Sequence, residues 1–154
     1  MDILDKYRDI NVNDPYWHDC LIEEFKEQLT IAGFIDITIS FSGFWSQGDG
    51  LSFTGRYDTN YMASGELYYE SVREFCRIAK QKHCYFNLVK QSHFYQHENT
   101  VIIDSNLSAL METHLLELCR DIMQEFYRTL EQEYTYLISD EAIKETLEIN
   151  NITE

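Results

Sequence analysis

Proline occurs once in 154 residues, at Pro15, and no repeat, low-complexity tract or linker interrupts the chain, which predicts a single domain over residues 1–154. Bases are scarce: 12 lysines and arginines stand against 27 aspartates and glutamates, for a net charge of −15. A surface of that sign repels phosphate backbones, so direct nucleic-acid binding is not expected. The four cysteines, Cys20, Cys76, Cys84 and Cys119, have no CxxC spacing, and no signal peptide precedes them. Reduced thiols in a cytoplasm are the expectation, without disulfides. No apolar run approaches the roughly 20 residues that span a bilayer, so no membrane association is expected. There is no phosphate loop, no HExxH and no GxSxG, and the carboxylates are spaced as solvated helix faces. Neither enzyme activity nor a cofactor is expected.

What is present is organised around residues 41–55, FSGFWSQGDGLSFTG. Gly48-Asp49-Gly50 offers two positions able to take positive φ around an Asp that bonds its own backbone, as a tight hairpin needs. Ile37, Ile39 and Phe41 alternate with Thr38, Ser40 and Ser42 on the near side, and Leu51, Phe53 and Gly55 with Ser52, Thr54 and Arg56 on the far side. This pattern predicts two strands, residues 34–45 and 51–57, with one apolar face and one hydroxyl-lined face. Phe44 and Trp45, being adjacent, are expected on opposite sides of the first strand. Trp45, Gln47 and Asp49 are then candidate partner-binding residues of a recognition loop; the other reading is a structural turn anchored by aromatics.

Elsewhere the elements follow from spacing and caps. Asp14-Pro15 predicts the start of a helix carrying Trp17, Leu21, Phe25 and Leu29, closed by Gly33. Leu67, Val72, Phe75, Ile78 and Ala79 predict a second helix with bases at its C-terminal end. Residues 84–91 and 100–104 read as the third and fourth strands, with His97-Glu98-Asn99 near their turn. A long helix is expected over residues 107–137, and Ser139 caps a last short one bearing Ala142, Ile143 and Leu147. The fold class is α+β: an antiparallel sheet of about four strands, helices mainly on one face, and a long C-terminal helix.

The long helix has two apolar stripes, Met111-Leu115-Leu118-Ile122-Phe126-Leu130 and Leu116-Cys119-Met123-Tyr127. Together they are wider than a simple surface helix requires, which predicts either deep burial or a homodimer. On its polar side Glu117, Asp121 and Glu125 follow at successive i+4 positions, about 6 Å apart by helix rise. Like charges at that spacing cost about a few tenths of a kcal/mol. Glu117, Asp121 and Glu125 are candidate partner-binding residues. Acids are concentrated at the ends of the chain: residues 104–154 hold 12 against 3 bases, whereas residues 34–103 hold 7 against 6. His83, Cys84, His93 and His97 lack the close ligand pairs of a zinc site, and no metal is expected.

The stretch at residues 41–55, with YLISDEAIKETLEIN at 136–150 and INVNDPYWHDCLIEEFKEQLTIAGF at 10–34, resembles a family of small proteins carried by bacteriophages and related mobile elements. Leu51 departs from that pattern, which has a small residue there. The resemblance and the charge together imply a phage-type inhibitor in the cytoplasm of a bacterial host. In that reading an acidic surface of the anti-CRISPR or anti-restriction class, a DNA mimic, occupies the basic nucleic-acid groove of a host defence complex. The alternative is an antitoxin-like or regulatory binding module that uses the loop from Trp45 to Gly50.

Overall fold

The computed structural model describes residues 2–45, 48–57, 85–91 and 95–152. Gln47, Cys76, His83, Cys84, His93 and the expected helix around Leu67–Ala79 lie outside the described residues. The fold is α+β. Among the described residues it holds helices α1 (Ile3–Lys6), α2 (Asp19–Ala32), α3 (Ala109–Leu137) and α4 (Asp140–Ile149), and strands β1 (Phe34–Phe41), β2 (Leu51–Tyr57), β3 (Phe86–Lys90) and β4 (Val101–Ser105). Two compact units partition the chain, residues 23–127 and residues 1–22 with 128–154, their boundaries falling inside α2 and α3.

The larger unit contains the sheet, antiparallel throughout in the order β1-β2-β3-β4. Ile39 pairs with Phe53, Gly55 with Leu88, and Leu88 with Ile103, so alternate residues build one apolar face. Phe34, Phe53, Phe86, Leu88 and Val101 are fully buried there. The opposite face pairs Thr38 with Thr54 and Ser40 with Ser52, the hydroxyl surface that the alternation predicts, with Arg56 bonded to Asp36 at its end. From the helices the core receives Phe25 and Leu29 of α2 and Leu115, Cys119, Ile122, Met123 and Phe126 of α3. The rings of Phe25 and Phe126 stack at 4.1 Å between centroids. Gly33, at φ +109°, ends α2 as expected and leaves room for the Tyr57 ring, which would lie 2.5 Å from a Cβ at that position. Tyr57 in turn stacks on Phe86 at 4.8 Å.

In the smaller unit Leu4, Ile143 and Leu147 form a core flanked by Ile3, Tyr7, Ile10 and Ile152. Ser139 caps α4 as its sequence predicts, accepting from Ala142 N at 3.3 Å. The N-terminal segment is fastened to the start of that helix by polar contacts. Arg8 donates to Asp140 at 2.7 Å, to Asp5 at 2.5 Å and to the carbonyl of Ile138 at 3.1 Å, while Asn11 Nδ2 donates to the carbonyl of Leu137 at 2.8 Å. Hydrogen bonds to Asp140 and then Asp5 raise the Arg8 pKa above its ordinary value.

Three expectations are corrected. The helix does not begin at Asp14-Pro15: Asp14 Oδ1 accepts from Tyr16 N at 2.9 Å, closing a turn, and α2 starts at Asp19. Trp17 therefore sits in the turn, its ring against His18 and Tyr134. The first strand stops at Phe41, so Phe44 and Trp45 belong to a bend and do not project from two faces of a strand. Gly50 is not at positive φ, and its need for glycine comes from close approach instead. The two stripes of α3 are covered within the chain where they are most apolar: Leu115, Cys119, Ile122, Met123, Phe126 and Leu130 are all buried. Met111, Leu116, Leu118 and Tyr127 of the same stripes are half-buried.

Candidate functional site

Residues 42–50 link β1 to β2, and their base is closed by Ser42 N donating to Gly50 O at 3.1 Å and Gly50 N to Ser42 Oγ at 3.3 Å. Within the loop Trp45 N donates to Asp49 Oδ2 at 3.2 Å, so the two candidate residues Trp45 and Asp49 are joined directly. Support comes from α3, where Tyr127 donates its hydroxyl to Gly43 O at 2.7 Å and packs its ring 5.3 Å from that of Phe44. Phe44 meets Trp45 edge-on at 6.1 Å.

A second segment, residues 95–100, packs against the loop, and spacing in the sequence carries no sign of this. A Cβ on Gly48 would lie 2.7 Å from Tyr95 Cδ1, and one on Gly50 would lie 2.9 Å from His97 Cα. Both glycines are thus contact surfaces for this segment. His97 caps the 3-10 turn Glu98–Thr100, its Nδ1 accepting from Asn99 N at 3.2 Å. That bond places the ring proton on Nε2, 3.3 Å from Glu98 Oε2. Glu98 is a buried carboxylate at 8% exposure, and its Oε1 accepts from Gln124 Nε2 at 3.0 Å. Burying a carboxylate is unfavourable unless donors meet it, and here α3 and the turn supply them.

Lys90 fixes the same end of the sheet. Its Nζ donates to Ser52 Oγ at 3.0 Å, Tyr95 O at 2.8 Å and Thr100 Oγ1 at 2.5 Å, and desolvation lowers its pKa from the ordinary 10.5. Three oxygens occupy the three donors of an ammonium group, which makes this a structural cross-brace. Arg120 Nη2 likewise donates to Val101 O at 2.9 Å. Against this braced background Trp45 is 75% and Tyr95 52% exposed.

The other three sequence candidates form a row of their own. Glu117, Asp121 and Glu125 are exposed along α3, on the side away from its buried residues. Among the described residues no group of three His, Cys, Asp or Glu side chains is placed to hold a metal, and no helix is long and apolar enough to cross a membrane. Sequence reading put Tyr95 and His97 on one strand face and His97-Glu98-Asn99 at a turn but did not bring them to the loop, and it gave Gln124 no role. The available signal was the polar run His97-Glu98-Asn99 placed at a strand turn, with a histidine able to cap it.

An antiparallel α+β unit thus carries at one end of its sheet a loop with an exposed Trp45, braced by polar contacts around the buried Glu98, and along α3 a row of carboxylates. The chain belongs to the family described as Domain of unknown function (DUF8835), whose model matches residues 17–140. The match takes in the whole sheet, the loop, the 95–100 segment and α3. No curated protein and no solved structure matches the chain.

Proposed function

We propose that the protein is an interaction protein of phage type, an acidic inhibitor that occupies the basic nucleic-acid groove of a host defence complex. The observation that carries this reading is the exposure of Glu117, Asp121 and Glu125 along one side of a 29-residue helix in a chain of net charge −15. A helix presenting carboxylates at regular intervals offers a basic groove the periodic negative charge it uses to hold a phosphate backbone. The likeness of residues 41–55 to mobile-element proteins adds the host setting.

The test is affinity capture from a bacterial lysate at low and high salt, using the parent and a variant carrying Glu117→Lys, Asp121→Lys and Glu125→Lys. A partner held by exposed charge elutes as salt rises, since screening acts over about 8 Å at physiological ionic strength, and the variant does not retain it. A partner kept by the variant at high salt overturns this reading. Such a result moves the contact to the loop, the regulatory-module reading, which the exposure of Trp45 on a braced support favours.

A further inference from the structure

We propose that the polar face of the sheet is a dimer interface, on which a second copy of this chain docks face to face about a two-fold axis lying along β3. The proposal is independent of the α3 face and of the loop that links β1 to β2.

Strand pairing fixes which side chains share that face. Arg56 lies opposite Asn87, and Asn87 opposite Asp104, so the three form one row across β2, β3 and β4. Paired residues project to the same side of a sheet, and for this row it is the side away from the buried Phe86, Leu88 and Ile103. Neighbouring strands lie about 4.8 Å apart, which sets a cation and a carboxylate at equal distances on either side of a central amide. Arg56 and Asp104 are exposed and Asn87 is half-buried. Two residues further along β3, Val89 pairs with Ile102, and these apolar side chains are 37% and 36% exposed on the same face. An open groove of about 380 Å³ brings Asp36, Thr54, Arg56, Asn87 and Val89 around one space there.

The order cation, amide, carboxylate is self-complementary, as a contact between identical patches requires. A two-fold rotation about an axis along β3 sets Arg56 against the second copy's Asp104 and Asp104 against the second copy's Arg56. Asn87 and Val89, on the axis, meet their own counterparts. A carboxamide carries donors and an acceptor, so two Asn87 side chains can pair with each other. Sheets packed face to face stand about 10 Å apart, a gap that an arginine and an aspartate side chain together span. Arg56 has capacity for the incoming carboxylate: it donates to Asp36 through Nε and Nη2, while its Nη1 bonds no described residue.

Charge balance favours a second copy over a free anion. Asp36 already neutralises Arg56, and the chain carries −15, so a phosphate or small carboxylate gains little here. A second copy brings an arginine with every aspartate, and the contact adds no net charge. Repulsion between two acidic chains is screened over about 8 Å at physiological ionic strength, whereas pairs enclosed between the sheets are screened less.

Sedimentation equilibrium of the full chain at physiological ionic strength is expected to show a reversible monomer–dimer equilibrium. Asp104→Arg and Arg56→Glu each place like charges opposite one another at both ends of the row, and each raises Kd about tenfold or more. Mixed in equal amounts, the two variants associate again, because in the mixed dimer every introduced charge faces its opposite. The variant with lysine at Glu117, Asp121 and Glu125 still dimerises, so the α3 reading and this one fail separately. A monomer at every concentration, a dimer that either reversal leaves unchanged, or a mixture as weak as its components overturns the proposal. Should Arg56→Glu fail to fold, Asp104→Asn alone decides: this exposed carboxylate bonds no described residue, and an unchanged Kd overturns the proposal.

Discussion

Tyr127 donates its hydroxyl to the carbonyl of Gly43 at 2.7 Å, joining the middle of α3 to the first turn of the aromatic loop across 84 residues of sequence. Through this bond and the Phe44 ring, the loop is carried by a helix and does not depend on its own backbone alone.

Replacing Tyr127 by Phe keeps the ring contact and removes the bond. The expected cost is about 1 kcal/mol, the net worth of one partly buried hydrogen bond. Urea unfolding measures it, and an unchanged midpoint would show that the loop does not lean on α3.

Gly50 and Gly48 differ in what surrounds them. Valine at Gly50 puts Cβ against the backbone of His97, and overpacking of that kind costs roughly 1–3 kcal/mol. Gly48 faces a partly exposed Tyr95 ring that is able to swing aside, so Gly48→Ala is expected to melt closer to the parent than Gly50→Ala. Thermal melts of the pair decide the order.

Phe126 is buried and stacked on Phe25. Phe126→Ala is expected to lose about 3–5 kcal/mol, from lost transfer energy and the cavity left behind. In contrast, charge reversal at Glu117, Asp121 and Glu125 is expected to stay within about 0.5 kcal/mol per site, because these side chains are exposed. Chemical denaturation of both variants tests whether the core and the acidic row are separable.

Lys90 produces a pH dependence in the alkaline range. Its folded pKa lies below the ordinary 10.5, so between the two values the unfolded chain binds more protons than the folded one. Stability attributable to this residue therefore rises with pH through that window. Below the folded value both states hold the proton and the contribution is level. Urea midpoints across alkaline pH, with Lys90→Met as reference, should show the rise in the parent and its absence in the variant.

Local signals in the sequence were legible where one short segment settles the outcome. Ser139 before Asp140-Glu141 combines a capping hydroxyl with two acids in the first turn, all favouring a helix start, and Gly33 at φ +109° is a conformation side chains resist. Strand alternation likewise identified the hydroxyl face. Asp14 failed as a signal because an aspartate oxygen bonding an amide two residues ahead makes a turn as readily as a helix cap. The candidate site was half legible. Trp45 and Asp49 lie within one loop, whereas Tyr95, His97, Glu98 and Gln124 reach it only through folding. Close approach and turn geometry both select glycine, so the spacing Gly48-Asp49-Gly50 fits either cause and does not point to its neighbour.

Among the described residues the outer strands of the sheet are β1 and β4, and neither offers a clean border. In β1 the pairing register shifts between Ile35 and Thr38, where Asp36 stands at φ 53° with its carboxylate held by Arg56. In β4 the Arg120 guanidinium occupies the carbonyl of Val101. A foreign strand arriving at either side would find its ladder broken within a few rungs. Chains crowded together during synthesis therefore have little template for growing end to end into fibres.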